Sequence, residues 1–124
     1  MSKRILVIED TDDNRRIVRD LLSSVGYELI EAADGAEGVA LAQSERPDLI
    51  LMDIQLPQMD GYEATRQIRA ISELAQVPII AVTSYALSGD EAKARDAGCD
   101  GYVAKPFSPR ELLSKIREFL PTVG

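Results

Sequence analysis

The sequence contains no histidine and only one cysteine, Cys99. The lack of histidine removes the commonest general base and the commonest metal ligand. One cysteine cannot form a disulfide within the chain, which is typical of a reducing compartment, so we expect a cytoplasmic location. The apolar run Ile5–Ile8 is too short for a signal peptide, and no run approaches a membrane span. Any chemistry must therefore use carboxylates, hydroxyls and lysine.

Positive charge is also scarce, since 14 Lys and Arg stand against 21 Asp and Glu and give a formal net charge of −7. The phosphate backbone of a nucleic acid repels such a surface, so we expect no nucleic-acid partner. Since no apolar run is long enough to span a membrane, we also expect no membrane partner. A chain of 124 residues can bury one sizeable core but not two. We therefore predict a single domain over residues 1–124.

Short apolar runs alternate with amphipathic stretches. Most of the runs are continuous, as in strands buried on both faces. They are Ile5–Ile8, Leu29–Ala33, Leu49–Met52, Pro78–Val82 and Gly101–Ala104. In the first amphipathic stretch, five residues at helical spacing predict a buried face: Ile17, Val18, Leu21, Leu22 and Val25. Five strands alternating with five helices predict an α/β domain with a parallel sheet and helices on both faces.

Capping signals mark the ends of the helices. Four of the predicted helices begin with an Asp or Ser three residues before a Glu: Asp34…Glu37, Asp60…Glu63, Ser88…Glu91 and Ser108…Glu111. Gly26 and Gly98 follow the first and fourth helices, where a left-handed residue ends a helix. The fourth helix, Gly89–Ala97, offers mainly alanine to the core, so we expect its docking to be marginal.

Polar residues follow four of the predicted strands. They are Glu9 and Asp10 after the first, Asp53 after the third, Thr83 and Ser84 after the fourth, and Lys105 after the fifth. Taken singly, each has a structural interpretation as a turn residue, a helix-dipole partner or a solvated lysine. The carboxyl ends of parallel strands share one edge, where folds of this kind bind ligands. Their occurrence together therefore predicts a functional site.

Carboxylates gathered at one edge repel each other. At ~4–5 Å and an effective dielectric near ~20, each pair costs roughly 3–4 kcal/mol. Lys105 can offset one charge and a hard divalent cation can offset two, and an all-oxygen ligand set favours Mg²⁺ over zinc. We predict Asp10 and Asp53 as direct ligands, Glu9 as a ligand through water, and the Gln55 backbone carbonyl as a third protein ligand. Mn²⁺ or Ca²⁺ could replace Mg²⁺ in crystals.

The residues at the strand ends, in this order, resemble those of the receiver domains of two-component response regulators. The shared residues are Glu9-Asp10, Asp53, Thr83 and Lys105-Pro106. The resemblance runs from Arg4 to Leu120 and includes the loop Leu56–Gly61 and the stretch Ala97–Tyr102. It is strongest to stand-alone regulators of the DivK and chemotaxis type, which carry no effector domain. The resemblance implies a flavodoxin-like, doubly wound (βα)5 sandwich with a five-stranded parallel sheet of order 2-1-3-4-5.

Roles for individual residues also follow from the resemblance. Asp53 is expected to be phosphorylated, Thr83 and Lys105 to contact the phosphoryl oxygens, and the Lys105–Pro106 peptide bond to be cis. The resemblance implies the same Mg²⁺ ligands. Thr83 and Tyr102 are expected to form a switch, in which Tyr102 occupies space that Thr83 vacates; the alternative is a fixed, half-buried tyrosine. Ser84 stands where many relatives carry alanine, which leaves the rate of phosphoryl loss open.

The predicted mechanism is in-line attack by Asp53 on a phosphohistidine of a sensor histidine kinase or histidine phosphotransfer protein. No general base is needed, because a carboxylate is already ionised at neutral pH. Mg²⁺ and Lys105 are expected to neutralise the transferring group. Such a protein assists its own phosphorylation and dephosphorylation without an external substrate, so we predict a signalling switch and not an enzyme.

The predicted output is the binding of a downstream target protein at the face formed by the fourth helix, fifth strand and fifth helix. We expect a monomer or weak dimer. The cluster of Arg15, Arg16 and Arg19 has two interpretations of equal weight. It is either part of a docking surface for the phosphodonor or a solvated face paired with Asp12 and Asp20.

Three other functions fit the sequence less well. A hydrolase of the haloacid dehalogenase class needs an acid two residues after its nucleophile, where this chain has Gln55. Its nucleophile also follows the first strand and not the third. A flavin-binding module needs a phosphate loop after the first strand, but Glu9–Asn14 is acidic and would repel a phosphate. A degenerate receiver that only binds partners is disfavoured because all the acceptor-site residues are present.

Overall fold

The computed structural model describes residues 3–84 and 90–120. Its strands are β1 (Arg4–Ile8), β2 (Glu28–Ala32), β3 (Leu49–Asp53), β4 (Ile79–Thr83) and β5 (Gly101–Ala104). All neighbouring strands pair in parallel, in the order β2-β1-β3-β4-β5. This confirms the predicted sheet, with each strand boundary within one residue of the apolar run that predicted it.

In the residues described, five α-helices connect and follow the strands. They are α1 (Asp12–Ser24), α2 (Gly35–Glu45), α3 (Gly61–Arg69), α4 (Asp90–Ala97) and α5 (Pro109–Phe119). A short 3-10 helix, Ser72–Leu74, was not predicted. None of the helices described is both long enough and apolar enough to span a membrane.

The core consists of two layers, one on each face of the sheet. Alternate residues of β1 point to opposite faces, because side chains alternate along a strand. Leu6 and Ile8 pack in the layer that contains residues of α2, α3 and α4. Ile5 and Val7 pack in the layer that contains residues of α1 and α5. The predicted arrangement of helices on both faces is therefore confirmed.

Side-chain caps begin three of the helices as predicted. Asp34, Asp60 and Ser108 accept hydrogen bonds from the N–H groups of Glu37, Glu63 and Glu111. In α5 the reciprocal bond also forms, in which the Ser108 N–H donates to the Glu111 carboxylate. In α2, Glu37 instead accepts from the N–H of Ala33. The predicted cap at Ser88 lies outside the described residues.

Two glycines end helices in the left-handed conformation, as predicted. Gly26 follows α1 with φ of 96° and Gly98 follows α4 with φ of 117°. The left-handed end of α2 was not predicted. Its C-cap is Arg46, which adopts the left-handed conformation although it is not a glycine.

The buried face of α1 is narrower than its sequence pattern predicted. Val18 and Leu22 are buried, but Ile17 is 61% exposed and Val25 is 40% exposed. Ile17 lies about 100° around the helix from Val18, which turns it away from the sheet. Val25 lies at the C-cap, beyond the last helical turn. The prediction was therefore wrong for Ile17 and Val25.

Two arginines of α1, Arg15 and Arg19, pair with Glu31 of β2. Arg15 binds Asp12 and donates to the backbone carbonyl of Glu9 at 2.7 Å. Arg19 Nε lies 2.7 Å from Glu31 Oε2, so Arg19 pairs with Glu31, which neither interpretation of the arginine cluster had named. Glu31 projects from the edge strand toward α1, which places it within reach of Arg19.

Candidate functional site

The polar residues predicted at the strand ends converge at the carboxyl edge of the sheet. Glu9 follows β1, Asp53 ends β3 and Thr83 ends β4. The exposed fractions of these residues are only 6%, 4% and 1%, respectively. Acidic residues are almost never this buried unless they are paired. The edge therefore holds charge that other groups must compensate.

Lys105, which follows β5, provides part of that compensation. Its Nζ donates to Glu9 Oε1 at 2.9 Å and to Asp53 Oδ2 at 3.4 Å. Carboxylate oxygens of Glu9, Asp10 and Asp53 all lie within 4.8 Å of one another. Three carboxyl groups thus face one ammonium, and negative charge is in excess.

The pKa values of these carboxyl groups separate in response. Burial raises the pKa of Asp53 to about 7, and hydrogen bonding to the Glu9 carboxylate adds to the rise. Burial also acts to raise the pKa of Glu9, but hydrogen bonds from Lys105 and Asp53 outweigh it and lower the value to about 2. The hydrogen bond to Glu9 raises the pKa of Asp10. Without a bound cation, the Asp53 carboxyl therefore releases its proton at a higher pH than an isolated aspartate does.

These residues fit a hard divalent cation. Their oxygens are close enough to share one ion, and the cluster contains neither nitrogen nor sulfur ligands. Burial and the neighbouring Glu9 carboxylate both raise the pKa of Asp53, and a bound cation would favour the ionised form of this residue. The Gln55 N–H donates to Asp53 Oδ1 at 3.0 Å, so the Gln55 backbone also lies beside the cluster. Glu9 is held by Lys105 and by the Thr11 N–H, at 3.2 Å.

The backbone beneath Asp53 tolerates no side chain at Gly61. A Cβ added to Gly61 would lie 2.4 Å from the Asp53 carbonyl oxygen and 2.7 Å from Ile54 Cα. The Gly61 N–H donates to the Ile54 carbonyl at 3.0 Å. This close approach holds the start of α3 against the backbone of Asp53 and Ile54. The sequence motif included Gly61 but did not reveal this contact.

The side chain of Gln55 makes contacts that the sequence did not predict. Its Nε2 donates to Thr83 Oγ1 at 2.6 Å, and its Oε1 accepts from the Ser84 N–H at 2.9 Å. The sequence had suggested only its backbone carbonyl as a ligand. No periodicity identifies the direction of a side chain in this loop, so the pattern held no signal for this role.

The other predicted site residues lie near the same edge. The Lys105–Pro106 peptide bond is cis, and the Lys105 N–H donates to the Thr83 carbonyl at 2.7 Å. Tyr102 is half-buried against the core layer that contains α3 and α4. Burial raises the pKa of the Tyr102 hydroxyl, and the negative charge of Asp90 adds to the rise.

A cavity of about 490 Å³ opens beside the Asp53 carboxylate. Much of its lining is apolar and includes Ile17 and Val18 of α1, Phe107 between β5 and α5, and Leu112 of α5. The exposed Ile17 thus lies next to the acidic cluster.

Fold and site together define a class of protein. It is a doubly wound α/β domain with an acidic cluster and a lysine at the carboxyl edge of its sheet. The sequence profile described as the response regulator receiver domain matches residues 5–117. The chain belongs to this family of two-component signalling domains. The family is thus as the resemblance implied, whereas the prediction of a single domain without an effector domain stays a prediction.

Curated and solved relatives agree with this assignment. The polar-differentiation response regulator DivK of Brucella anthropi is 42% identical over 120 residues, covering 97% of this chain and 98% of DivK. The receiver domain of the sensor histidine kinase PA1611 from Pseudomonas aeruginosa, solved with a magnesium ion coordinated in its active site cleft, is 41% identical. The two structures superpose with a TM-score of 0.90, and the match covers 98% of this chain and 100% of the PA1611 receiver domain. The chemotaxis protein CheY4 of Vibrio cholerae has a TM-score of 0.92 at 31% identity, covering 96% and 99%.

Proposed function

We propose that this receiver domain is a phosphorylation switch whose acceptor is Asp53. The observation that carries the proposal is the position of Lys105, whose ammonium lies 3.4 Å from Asp53 Oδ2 in an otherwise acidic cluster. A structural ion pair needs only one acid and one base. Here the buried Asp53 contacts a lysine and also lies beside two further carboxylates. This is the arrangement expected where negative charge arrives and must be neutralised.

The reaction we propose is transfer of a phosphoryl group to an Asp53 oxygen. The Asp53 carboxylate attacks phosphorus in line with the leaving nitrogen of a phosphohistidine, and the P–N bond breaks as the P–O bond forms. Lys105 faces the equatorial oxygens, where charge accumulates. Water later cleaves the acyl phosphate, so the domain returns to its first state without turning over an external substrate.

A divalent cation is part of this proposal. Asp10, Asp53 and the Gln55 backbone carbonyl would hold Mg²⁺, with Glu9 contributing through water. When bound, the ion supplies positive charge that the phosphoryl oxygens need during transfer. Its binding would also favour the ionised form of Asp53, whose pKa is raised without it.

The proposed switch joins Asp53 to the fourth strand and its neighbour. A phosphorylated aspartate offers new acceptor oxygens, and the Thr83 hydroxyl is the group that would donate to them. Movement of Thr83 would let Tyr102 change position. The altered face comprises α4, β5 and α5 and would bind a downstream protein.

The proposed phosphodonor is a sensor histidine kinase or a histidine phosphotransfer protein. Such a donor must approach the carboxyl edge of the sheet, where Ile17 and the apolar cavity adjoin Asp53. The arginines of α1 lie on the same helix. We further propose a cytoplasmic location and a monomer or weak dimer.

The test is incubation with a small phosphodonor such as acetyl phosphate, with Mg²⁺ or with EDTA, followed by intact mass spectrometry. The wild-type chain should gain one phosphoryl group only with Mg²⁺, and Asp53→Asn should gain none. Asp13→Asn is the matched control, because Asp13 is an exposed acid of α1 outside the cluster. Phosphorylation of the Asp53 variant would refute the proposed acceptor. Steady turnover of a generic phosphatase substrate would favour a hydrolase instead.

A further inference from the structure

The Gln55 carboxamide ties together the ends of two neighbouring strands. Gln55 lies in the loop after β3, and Thr83 and Ser84 lie at the end of β4. Both functions of the carboxamide are used, as donor to Thr83 Oγ1 at 2.6 Å and as acceptor from the Ser84 N–H at 2.9 Å. A backbone hydrogen bond from Ile54 to Val82, at 2.9 Å, joins the same two segments one step earlier. The side chain therefore extends the pairing of β3 and β4 beyond the sheet.

Gln55 also contacts the proposed acceptor. Its N–H donates to Asp53 Oδ1 at 3.0 Å, so one residue binds Asp53 through its backbone and Thr83 through its side chain. A shift of either strand end changes the geometry at the other. The carboxamide is thus positioned to respond when Asp53 is modified.

We propose that the Gln55 side chain is a latch that holds Thr83 and Ser84 in their unphosphorylated positions and releases them when Asp53 is phosphorylated. The release step rests on the function proposed above, whereas the two hydrogen bonds exist without it. A contact made in only one of two states shifts the equilibrium toward that state. The latch therefore sets how readily the domain switches, and Gln55 is a positioning residue for Thr83.

The glutamine side chain fits both partners. Its carboxamide offers a donor to the Thr83 hydroxyl oxygen and an acceptor to the Ser84 N–H at once. Gln55→Met keeps a similar length and leaves the backbone carbonyl and N–H in place, but removes both bonds. Gln55→Glu keeps the acceptor for Ser84 and adds a negative charge beside the acidic cluster. Gln58→Met is the matched control, because Gln58 is an exposed glutamine of the same loop.

The first measurement needs no phosphorylation. Amide hydrogen exchange by NMR should show a protected Ser84 N–H in the wild type and in Gln58→Met. In Gln55→Met, exchange at Ser84 should be about tenfold faster, which is the effect of losing a typical hydrogen bond. Gln55→Glu should keep the protection at Ser84. Equal protection in wild type and Gln55→Met would overturn the latch, provided that thermal unfolding shows both chains folded.

The second measurement follows release with beryllofluoride, a phosphoryl analogue, added with Mg²⁺. The chemical shift of the Thr83 methyl group reports the switch. Gln55→Met should reach half-conversion at a beryllofluoride concentration roughly three- to tenfold lower than wild type, since the unconverted state has lost its latch. Equal midpoints would overturn the release step. No response in any of the chains would refute the proposed function and the release with it, while hydrogen exchange would still decide whether the two bonds exist.

Discussion

Replacing Asp53 by asparagine should make the metal-free protein more stable. Oxygens of Glu9 and Asp10 lie within 4.8 Å of Asp53, where each repulsion is worth about 3.5 kcal/mol or more at an effective dielectric near 20. The attraction between Asp53 and Lys105, at 3.4 Å, offsets about 4.9 kcal/mol of this repulsion at the same dielectric. The ionised Asp53 is therefore destabilising by about 2 kcal/mol, before its burial is counted. Asparagine has the same shape without the charge.

The raised pKa of Asp53 gives a second estimate of the stability gained when Asp53 is replaced by asparagine. A change from 3.8 unfolded to about 7 folded means that the native state binds the proton more tightly. Stability is then greatest below the unfolded pKa and is lost as the pH rises through the folded pKa, by roughly 4 kcal/mol in all. The two estimates bracket a gain of about 2–4 kcal/mol for Asp53→Asn at about pH 8.

The assay is urea unfolding in EDTA at about pH 8 and about pH 4. Asp53→Asn should exceed the wild type by about 2–4 kcal/mol at the higher pH, and the difference should nearly vanish at the lower, where wild-type Asp53 is protonated. Asp13→Asn, which changes an exposed acid, should show neither effect. Adding Mg²⁺ should reduce the gap at high pH by stabilising the wild type. A gap that is absent at high pH, or unchanged by pH, would refute the electrostatic reasoning.

Three further outcomes follow from contacts around the site. Gly61→Ala should lower the free energy of unfolding in urea by roughly 2–4 kcal/mol, because the new Cβ would lie 2.4 Å from the Asp53 carbonyl oxygen. It should also slow phosphorylation by acetyl phosphate, and unchanged stability would contradict this reasoning. Arg69→Met should cost about 3 kcal/mol by the same assay, since the guanidinium donates to several backbone carbonyls and to Asp100 at 2.5 Å, and Arg69→Lys should recover little of the loss. Gln58→Gly should raise the midpoint of thermal unfolding by relieving a residue with φ of 67°, a gain of about 1 kcal/mol or less, and a lower midpoint would show the conformation to be unstrained.

The convergence of the site could be predicted because it follows from topology. Strands of a parallel sheet end at one edge, so Glu9, Asp53, Thr83 and Lys105 had to meet once the order of strands was known. Continuous apolar runs predicted the strands within one residue, and the caps Asp34, Asp60 and Ser108 predicted the helix starts. These signals are local or depend only on the order of elements.

Other contacts join segments whose relative orientation no local pattern specifies. Arg69 reaches Gly98 and Asp100 across 29 and 31 positions of sequence. Gln55 reaches Thr83 across 28 positions. Such pairs depend on the direction of single side chains in loops and at helix ends. The exposure of Ile17 was missed for a related reason, because helical spacing tells which residues share a face but not how wide a stripe the sheet covers.

The way α4 is held indicates which of its ends can respond to the switch. Only alanines of α4 are buried among the residues described, namely Ala94 and Ala97, both in its carboxyl-terminal half. That half is tied further by Cys99, whose N–H donates to the Ala94 carbonyl at 2.9 Å, and by Arg69, which donates to the Gly98 carbonyl at 2.9 Å. The amino-terminal end begins at Asp90, six positions after Ser84 in the sequence. A displacement that starts when Gln55 releases Ser84 would therefore move α4 from its amino-terminal end, with the Arg69 contact as the pivot. Hydrogen exchange along α4 should then rise toward Asp90 when beryllofluoride is bound, and a uniform rise along the helix would contradict a pivot at its carboxyl-terminal end.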